Sequence, residues 1–314
     1  MEAVIVRAVV VDPESKANLS LAEVGEPEPG PSESIVRVAA VSLNRGEVRR
    51  AEAAEPGFRP GWDLAGTVER SAPGGPAEGT RVVGFLPSGA WGERVAVPTN
   101  ALAELPEGVS FGEAATLPVA GLTALYALEM GGNLLGRDVL VTGASGGAGQ
   151  FALQLARMSG AQVVALVRRA EHEELAREAG AHEVAVDEGG AAAGEYGPYH
   201  LILESVGGKV LGNALSMLAP EGTCVSFGVS GGPEVTFNTQ QLYLTGGAKL
   251  YGFILFHEVT ARPASAGLAR LVRLINEGRL EPRIEVEAPW TDVGEVAARL
   301  IDRGYTGKAV LHVS

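Results

Sequence analysis

The chain has one cysteine, Cys224, among its 314 residues. Disulfide frameworks need cysteine pairs and zinc modules of the CxxC type need two, so both are excluded. Within "GTCVSFG" the thiol reads as a small apolar residue of a buried strand. Basic residues are also in deficit. Lys and Arg total 25 against 38 Asp and Glu, a net charge of −13. Nucleic acid and anionic membrane both require a cationic face, so neither is expected as the main partner. No window holds 18 unbroken apolar residues, and no spanning segment is expected. "MEAVIVRAVVVDPE" lacks a basic n-region followed by a long apolar stretch. It is not read as a secretory leader, and a cytoplasmic location is expected. Histidines number five, with no HxxxH or HExxH spacing, so no metal site is expected.

What is present divides the chain by texture. Up to about residue 110, short β-prone runs such as "AVIVRAVVV" and "ESIVRVAAVSL" alternate with Gly and Pro clusters. Many short strands at close spacing predict a barrel or sandwich. "GEAATLPVAGLTALYALEM" then places Leu117, Leu122, Leu125 and Leu128 at roughly helical spacing. After Gly136, strand and helix patterns alternate. Strands are read at 138–144, 162–168, 183–187, 201–206, 223–229 and 249–255. Nearly all-apolar strands between helices predict a parallel sheet covered on both faces. The closing strand "KAVLHV" is expected to return to the first domain.

One glycine-dense turn, "VTGASGGAGQFALQLARM" at 141–158, joins a strand to a helix. Three signatures fit its letters. Gly143-Ala144-Ser145-Gly146-Gly147 spells the G-x-S-x-G elbow of hydrolases. No histidine precedes His172, so that reading lacks its HGGG-type oxyanion loop. Thr142, Gly143, Gly147 and Gly149 spell the TGxxxGxG turn of short-chain dehydrogenases. That turn belongs near the N-terminus, and none of the six tyrosines has a lysine four positions later. Ala144 to Gly149 spells AxGGxG, a dinucleotide turn in which backbone N–H groups and a helix N-terminus face a pyrophosphate. A tight turn with nothing bound is the alternative, because a single glycine pattern is weak by itself. A P-loop is excluded, since no Lys-Ser/Thr pair follows.

Six segments in order carry a wider resemblance: "VSLNRGEV", "PGWDLAGTVE", "GTRVVGFLPSGAWGERVAVP", "ATLPVAGLTALYAL", the cofactor turn, and "GYTGKAVLHV". On these the chain resembles the zinc-free quinone oxidoreductase branch of the medium-chain dehydrogenases/reductases. That branch is zeta-crystallin-like and lies near the enoyl reductase domains of polyketide synthases. The resemblance implies an α/β fold: a Rossmann domain with a parallel six-stranded sheet, and a GroES-like β-barrel catalytic domain. Their expected bounds are 119–256 for the NADP(H)-binding domain, and 1–118 with 257–314 for the catalytic domain. It also implies a homodimer joined through strand 249–255. The expected activity is NADPH-dependent hydride transfer to a quinone or an α,β-unsaturated carbonyl, a small-molecule substrate. The alternative is an NADPH-binding protein of zeta-crystallin type with little catalysis. Trp62-Asp63 stands where zinc-dependent relatives carry His-Glu, and no zinc is expected.

Candidate residues follow by position. Ser145, Gly146, Gly147 and Ala148 would hold the pyrophosphate. Arg168 and Arg169 end the second strand of the alternating region, where NAD enzymes place an acidic residue. Paired guanidiniums there suit the 2′-phosphate of NADP; solvated strand-end arginines are the alternative. His172 stands near the expected lysine of relatives, and Asp187 near the expected tyrosine. Ser205 and Val206, Phe227 and Gly228 end later strands, whose C-terminal ends face the cofactor in such a fold; ordinary strand-end packing is their alternative. Phe253 either joins them or packs in a dimer. Asn44 is the candidate for hydrogen bonding to nicotinamide or substrate, with a helix N-cap as its alternative. Thr123 matches the threonine beside the nicotinamide, and helix packing is its alternative. Asp63 reads as structural, with a cleft carboxylate as its alternative, and Lys308 as a structural contact rather than a catalyst. No tyrosine stands in "RRAEAAEPGFRP", where many relatives carry one, so no single proton donor is visible.

Overall fold

The computed structural model describes residues 5–314. Contacts divide it into two compact units, one running up to Leu122 and resuming over Val259–Ser314, the other Thr123–Glu258. The bounds read from sequence, 118/119 and 256/257, fall a few residues earlier.

Thr123–Glu258 is built on six parallel strands: Asp138–Thr142, Gln162–Val167, Glu183–Val186, Tyr199–Glu204, Leu218–Ser226 and Lys249–Gly252. Counted along the chain, their order across the sheet is third, second, first, fourth, fifth, sixth. Central strands such as "LILE" and "VLVT" are buried on both faces, which is why they read as unbroken apolar runs. Leu140, Ile202, Leu211, Leu215 and Cys224 pack together beneath the helices. The fifth strand starts earlier than its composition implies. Leu218 pairs with Tyr199, and a register shift follows before Leu201 meets Thr223. It also stops earlier, at Ser226, because Gly228 packs against the Ser205 backbone instead of continuing the ladder.

The other unit centres on strand Glu33–Ser42, which pairs with Asp63–Arg70, Arg94–Pro98 and Lys308–His312, all antiparallel. Arg81–Phe85 and Leu102–Glu104 extend the sheet on one side, and Ile284–Pro289 closes the other. Ile5–Val11 and Leu19–Gly25 form a separate hairpin. Val36, Val41, Leu64, Trp91 and Trp290 form the core. The last strand returns here, as its composition predicts, with Leu311 opposite Val41.

The helix read over 112–130 is interrupted. Helix Phe111–Ala115 gives way to one wide π-turn, Leu117–Gly121, before helix Leu122–Glu129. Pro118 supplies no N–H. The Val119 N–H leaves the helical ladder and donates to Asp63 Oδ1 at 2.9 Å. Turns of this kind are frequent at functional sites.

Candidate active site

The glycine turn is built before any ligand arrives. Gly143 has φ +58°, a conformation that glycine adopts without penalty. Gly146 N–H donates to Gly143 O at 3.0 Å, and buried Gln150 donates from Nε2 to Ala144 O at 2.9 Å. A Cβ on Gly149 would stand 2.5 Å from Gly143 O, so only glycine lets the helix close onto the turn. Helix Gly147–Met158 begins after Gly146, which offers no side-chain cap, and its first turn has no acidic residue. Its leading N–H groups are therefore left to a ligand, and the helix dipole favours an anion there. Ser145, Gly146, Gly147 and Ala148 all keep solvent exposure.

Strand order reverses between Asp138–Thr142 and Tyr199–Glu204. In open α/β sheets, ligands sit outside the strand ends at such a reversal. The structure gathers Thr142, Glu204, Ser205 and Gly228 at this place. Ser205 N–H donates to Thr142 Oγ1 at 3.0 Å, and Ser205 Oγ to Thr142 O at 3.0 Å. Ser205, Val206, Phe227 and Gly228 are half-buried. The Phe227 and Phe253 rings meet edge to face, with centroids 6.2 Å apart.

Glu204 was not visible as a site residue in the sequence, where it reads as the polar end of "LILE". It is fully buried. Val206 N–H and Gly207 N–H donate to its Oε1 at 2.7 and 2.9 Å. Thr142 Oγ1 donates at 3.2 Å to the same oxygen, and Ser226 Oγ to Oε2 at 3.3 Å. Burial pushes this carboxyl above its ordinary range, opposed chiefly by the two backbone amides.

Arg168 and Arg169 follow the neighbouring strand Gln162–Val167, and both are exposed. Arg169 pairs with Glu171 at 3.0 Å. His172 lies three residues on, its Nδ1 buried without a partner among the described residues. Asp187 is engaged by its own loop, accepting from Gly189 N–H and Ala192 N–H at 3.0 Å each. These bonds hold its carboxyl below the usual range, since they favour the charged form.

The remaining candidates centre on Asn44, in the other unit. Asn44 caps helix Arg45–Glu52, and its N–H donates to Glu47 Oε1 at 2.6 Å. Its Nδ2 donates to Glu47 Oε1 at 3.0 Å and to Asp63 Oδ2 at 2.7 Å. Its Oδ1 accepts from Lys308 Nζ at 2.6 Å. Lys308 also donates to Leu43 O at 2.9 Å and to Asp63 Oδ2 at 3.4 Å. Both amide hydrogens of Asn44 are thus used, and an ammonium, which can only donate, fixes which end is oxygen. Glu47, Asp63 and Lys308 are all buried. Burial and then the Asp63 charge push Glu47 well above its ordinary range. Burial also raises Asp63, against the pull of Lys308. Thr123 lies on helix Leu122–Glu129 and is nearly buried.

Residues 30–107 match the alcohol dehydrogenase GroES-like domain family, and 147–271 match the zinc-binding dehydrogenase family. A quinone oxidoreductase of Pseudomonas aeruginosa is 31% identical over 301 residues, spanning 90% of this chain and 92% of that protein. The chain is a medium-chain dehydrogenase/reductase. Other members are similar over nearly the same span. A mycocerosic acid synthase-like polyketide synthase of Mycobacterium tuberculosis is 29% identical over 311 residues, 91% of this chain but 14% of that protein. A solved mycobacterial structure complexed with NADPH superposes with TM-score 0.87 at 27% identity, covering 98% of this chain and 99% of that one. In this medium-chain dehydrogenase/reductase, no three His, Cys, Asp or Glu side chains among the described residues come together as a metal-ion site. No helix among them is long and apolar enough to cross a membrane.

Proposed function

We propose that this protein is an NADPH-dependent oxidoreductase that reduces a quinone or an α,β-unsaturated carbonyl without zinc. One observation carries the reading: an uncapped glycine helix start at Gly146–Gly147 beside a strand that Arg168 and Arg169 follow directly. The backbone at Ser145, Gly146, Gly147 and Ala148 holds the pyrophosphate. Arg168 and Arg169 take the 2′-phosphate. Ser205, Val206, Phe227, Gly228 and Phe253 line the nicotinamide half, with Thr123. The related Pseudomonas quinone oxidoreductase and the NADPH complex of the mycobacterial structure support the same reading.

Bound NADPH supplies a hydride. The chain's task is to orient it and to manage the charge left on the acceptor. An enone reduced at its β-carbon gathers charge on its carbonyl oxygen, which needs donors, and then needs a proton at the α-carbon. Asn44 cannot be that donor, because Glu47 and Asp63 take both of its amide hydrogens. Its role in this reading is to accept, through the remaining lone pair of Oδ1, from a carboxamide or hydroxyl of the bound molecules. The Thr123 hydroxyl is the candidate donor. Quinones need less from the protein, since solvent can protonate the reduced oxygens.

A homodimer through the edge strand Lys249–Gly252 belongs to the same proposal. All four residues of that strand are exposed, and Leu250, Tyr251 and Ile254 present large apolar surfaces.

The test is NADPH consumption with a conjugated enone beside a simple quinone, followed by product analysis. Reduction at C=C makes it an ene reductase, and turnover of the quinone alone makes it a quinone reductase. Tight NADPH binding without turnover of either replaces the enzyme reading with a binding protein.

A further inference from the structure

A carboxylate at the end of a parallel strand buried on both faces is expensive unless it is paired. Glu204 has no cationic partner among the described residues. Its charge is met only by dipoles, namely the amides of Val206 and Gly207 and the hydroxyls of Thr142 and Ser226. All four groups are donors to it, which is the arrangement an ionised carboxylate requires. Its place is equally specific. Glu204 and Thr142 end the two strands that flank the reversal of strand order. The turn that follows Glu204, with Gly207 at φ +75°, carries Ser205 and Val206, both half-buried beside the strand ends.

We infer that Glu204 is a positioning and charge-biasing residue that makes the crevice favour the oxidised, cationic nicotinamide over the reduced, neutral one. The inference rests on the NADPH reading above. A fixed anion behind the nicotinamide-lining turn lowers the free energy of the positively charged ring and leaves the neutral ring nearly untouched. The bound pair is thereby biased toward giving up hydride. The backbone turn it holds serves both forms alike, so the two roles separate experimentally.

Glu204→Gln keeps the volume and the oxygen that accepts from Val206 and Gly207, and removes the charge. Wild type and variant are titrated with NADPH by cofactor fluorescence and with NADP+ by calorimetry. The ratio of the NADP+ to the NADPH dissociation constant is expected to rise about tenfold, the scale of one unit-charge interaction at an effective dielectric of about 20. Ser226→Ala is the second variant. It removes one of the donors that favour the ionised carboxylate, so the ratio should rise above that of wild type, by less than in Glu204→Gln. An equal loss of both nucleotides in Glu204→Gln, or an unchanged ratio in Ser226→Ala, reduces Glu204 to a structural clamp and overturns the inference. Wild-type protein that binds neither nucleotide overturns the NADPH reading itself.

Discussion

Lys308→Met removes the ammonium between Asn44 and Asp63 and keeps most of the side-chain volume. Lys308, Asp63 and Glu47 are all buried, so water cannot take over its role. Removing one partner of a buried ion pair costs about 3–5 kcal/mol. For a unit of this size each kcal/mol moves Tm by about 2–4 °C, which gives a fall of about 6–20 °C near pH 8. The pH dependence has a definite sign. Burial holds Glu47 and Asp63 above their ordinary values. Groups shifted upward contribute stability that is full below their unfolded-state values and is lost as pH rises through the folded ones. The attraction of Lys308 opposes that upward shift in both carboxyls. Without it the loss reaches further up the pH scale, so the deficit should be smaller near pH 5 than near pH 8. Circular-dichroism melts of wild type, K308M and K308M/D63N across that range measure it. The double variant removes both members of the pair and should recover much of the loss. A deficit of equal size at pH 5 and pH 8, or a double variant no more stable than K308M, would refute this account.

Three further outcomes are expected. Changing both Arg168 and Arg169 to Ala should weaken NADPH by about 10–100-fold and leave NADH nearly unchanged, because charge-assisted bonds to a phosphate are lost only with the former; fluorescence titration that shows equal losses removes the 2′-phosphate assignment. Gly149→Ala forces a methyl against Gly143 O and should cost about 1–3 kcal/mol along with NADPH affinity, and an unchanged melt and dissociation constant would mean the helix can back away from the turn. Leu250→Arg on the exposed edge strand should turn a dimer into a monomer by light scattering, whereas equal masses for the two proteins would place any interface elsewhere.

Much of the fold was legible because it rests on local pattern. The alternating region could be read from β-branched runs, and the cofactor turn from glycines whose spacing has a steric cause. The Asn44 cluster was legible only in pieces. Asn44 offered an N-cap or a ligand contact, and the structure shows the cap together with three further bonds. What ties these residues is Lys308, 264 positions away, and no local periodicity records such a partner. Glu47 and Glu204 were invisible for another reason. An acidic residue in a first helical turn or at a strand end is ordinary in sequence. Its burial becomes apparent only when Trp62, Thr142 and Ser226 close around it. The π-turn at 117–121 was likewise read as plain helix, since leucine spacing does not report where one N–H is drawn away.

The return of the final strand bears on how the chain reaches its native state. Thr123–Glu258 is continuous in sequence and can assemble while the chain is still being made. The surrounding unit cannot, because strand Glu33–Ser42 waits for Lys308–His312 to supply one of its neighbours. Until then Glu47 and Asp63 stand without their counter-ion. Long-range closure of this kind slows folding and leaves an unpaired edge exposed in the interim. The same lysine that fixes the Asn44 amide is therefore the piece that lets the first-made domain lock last.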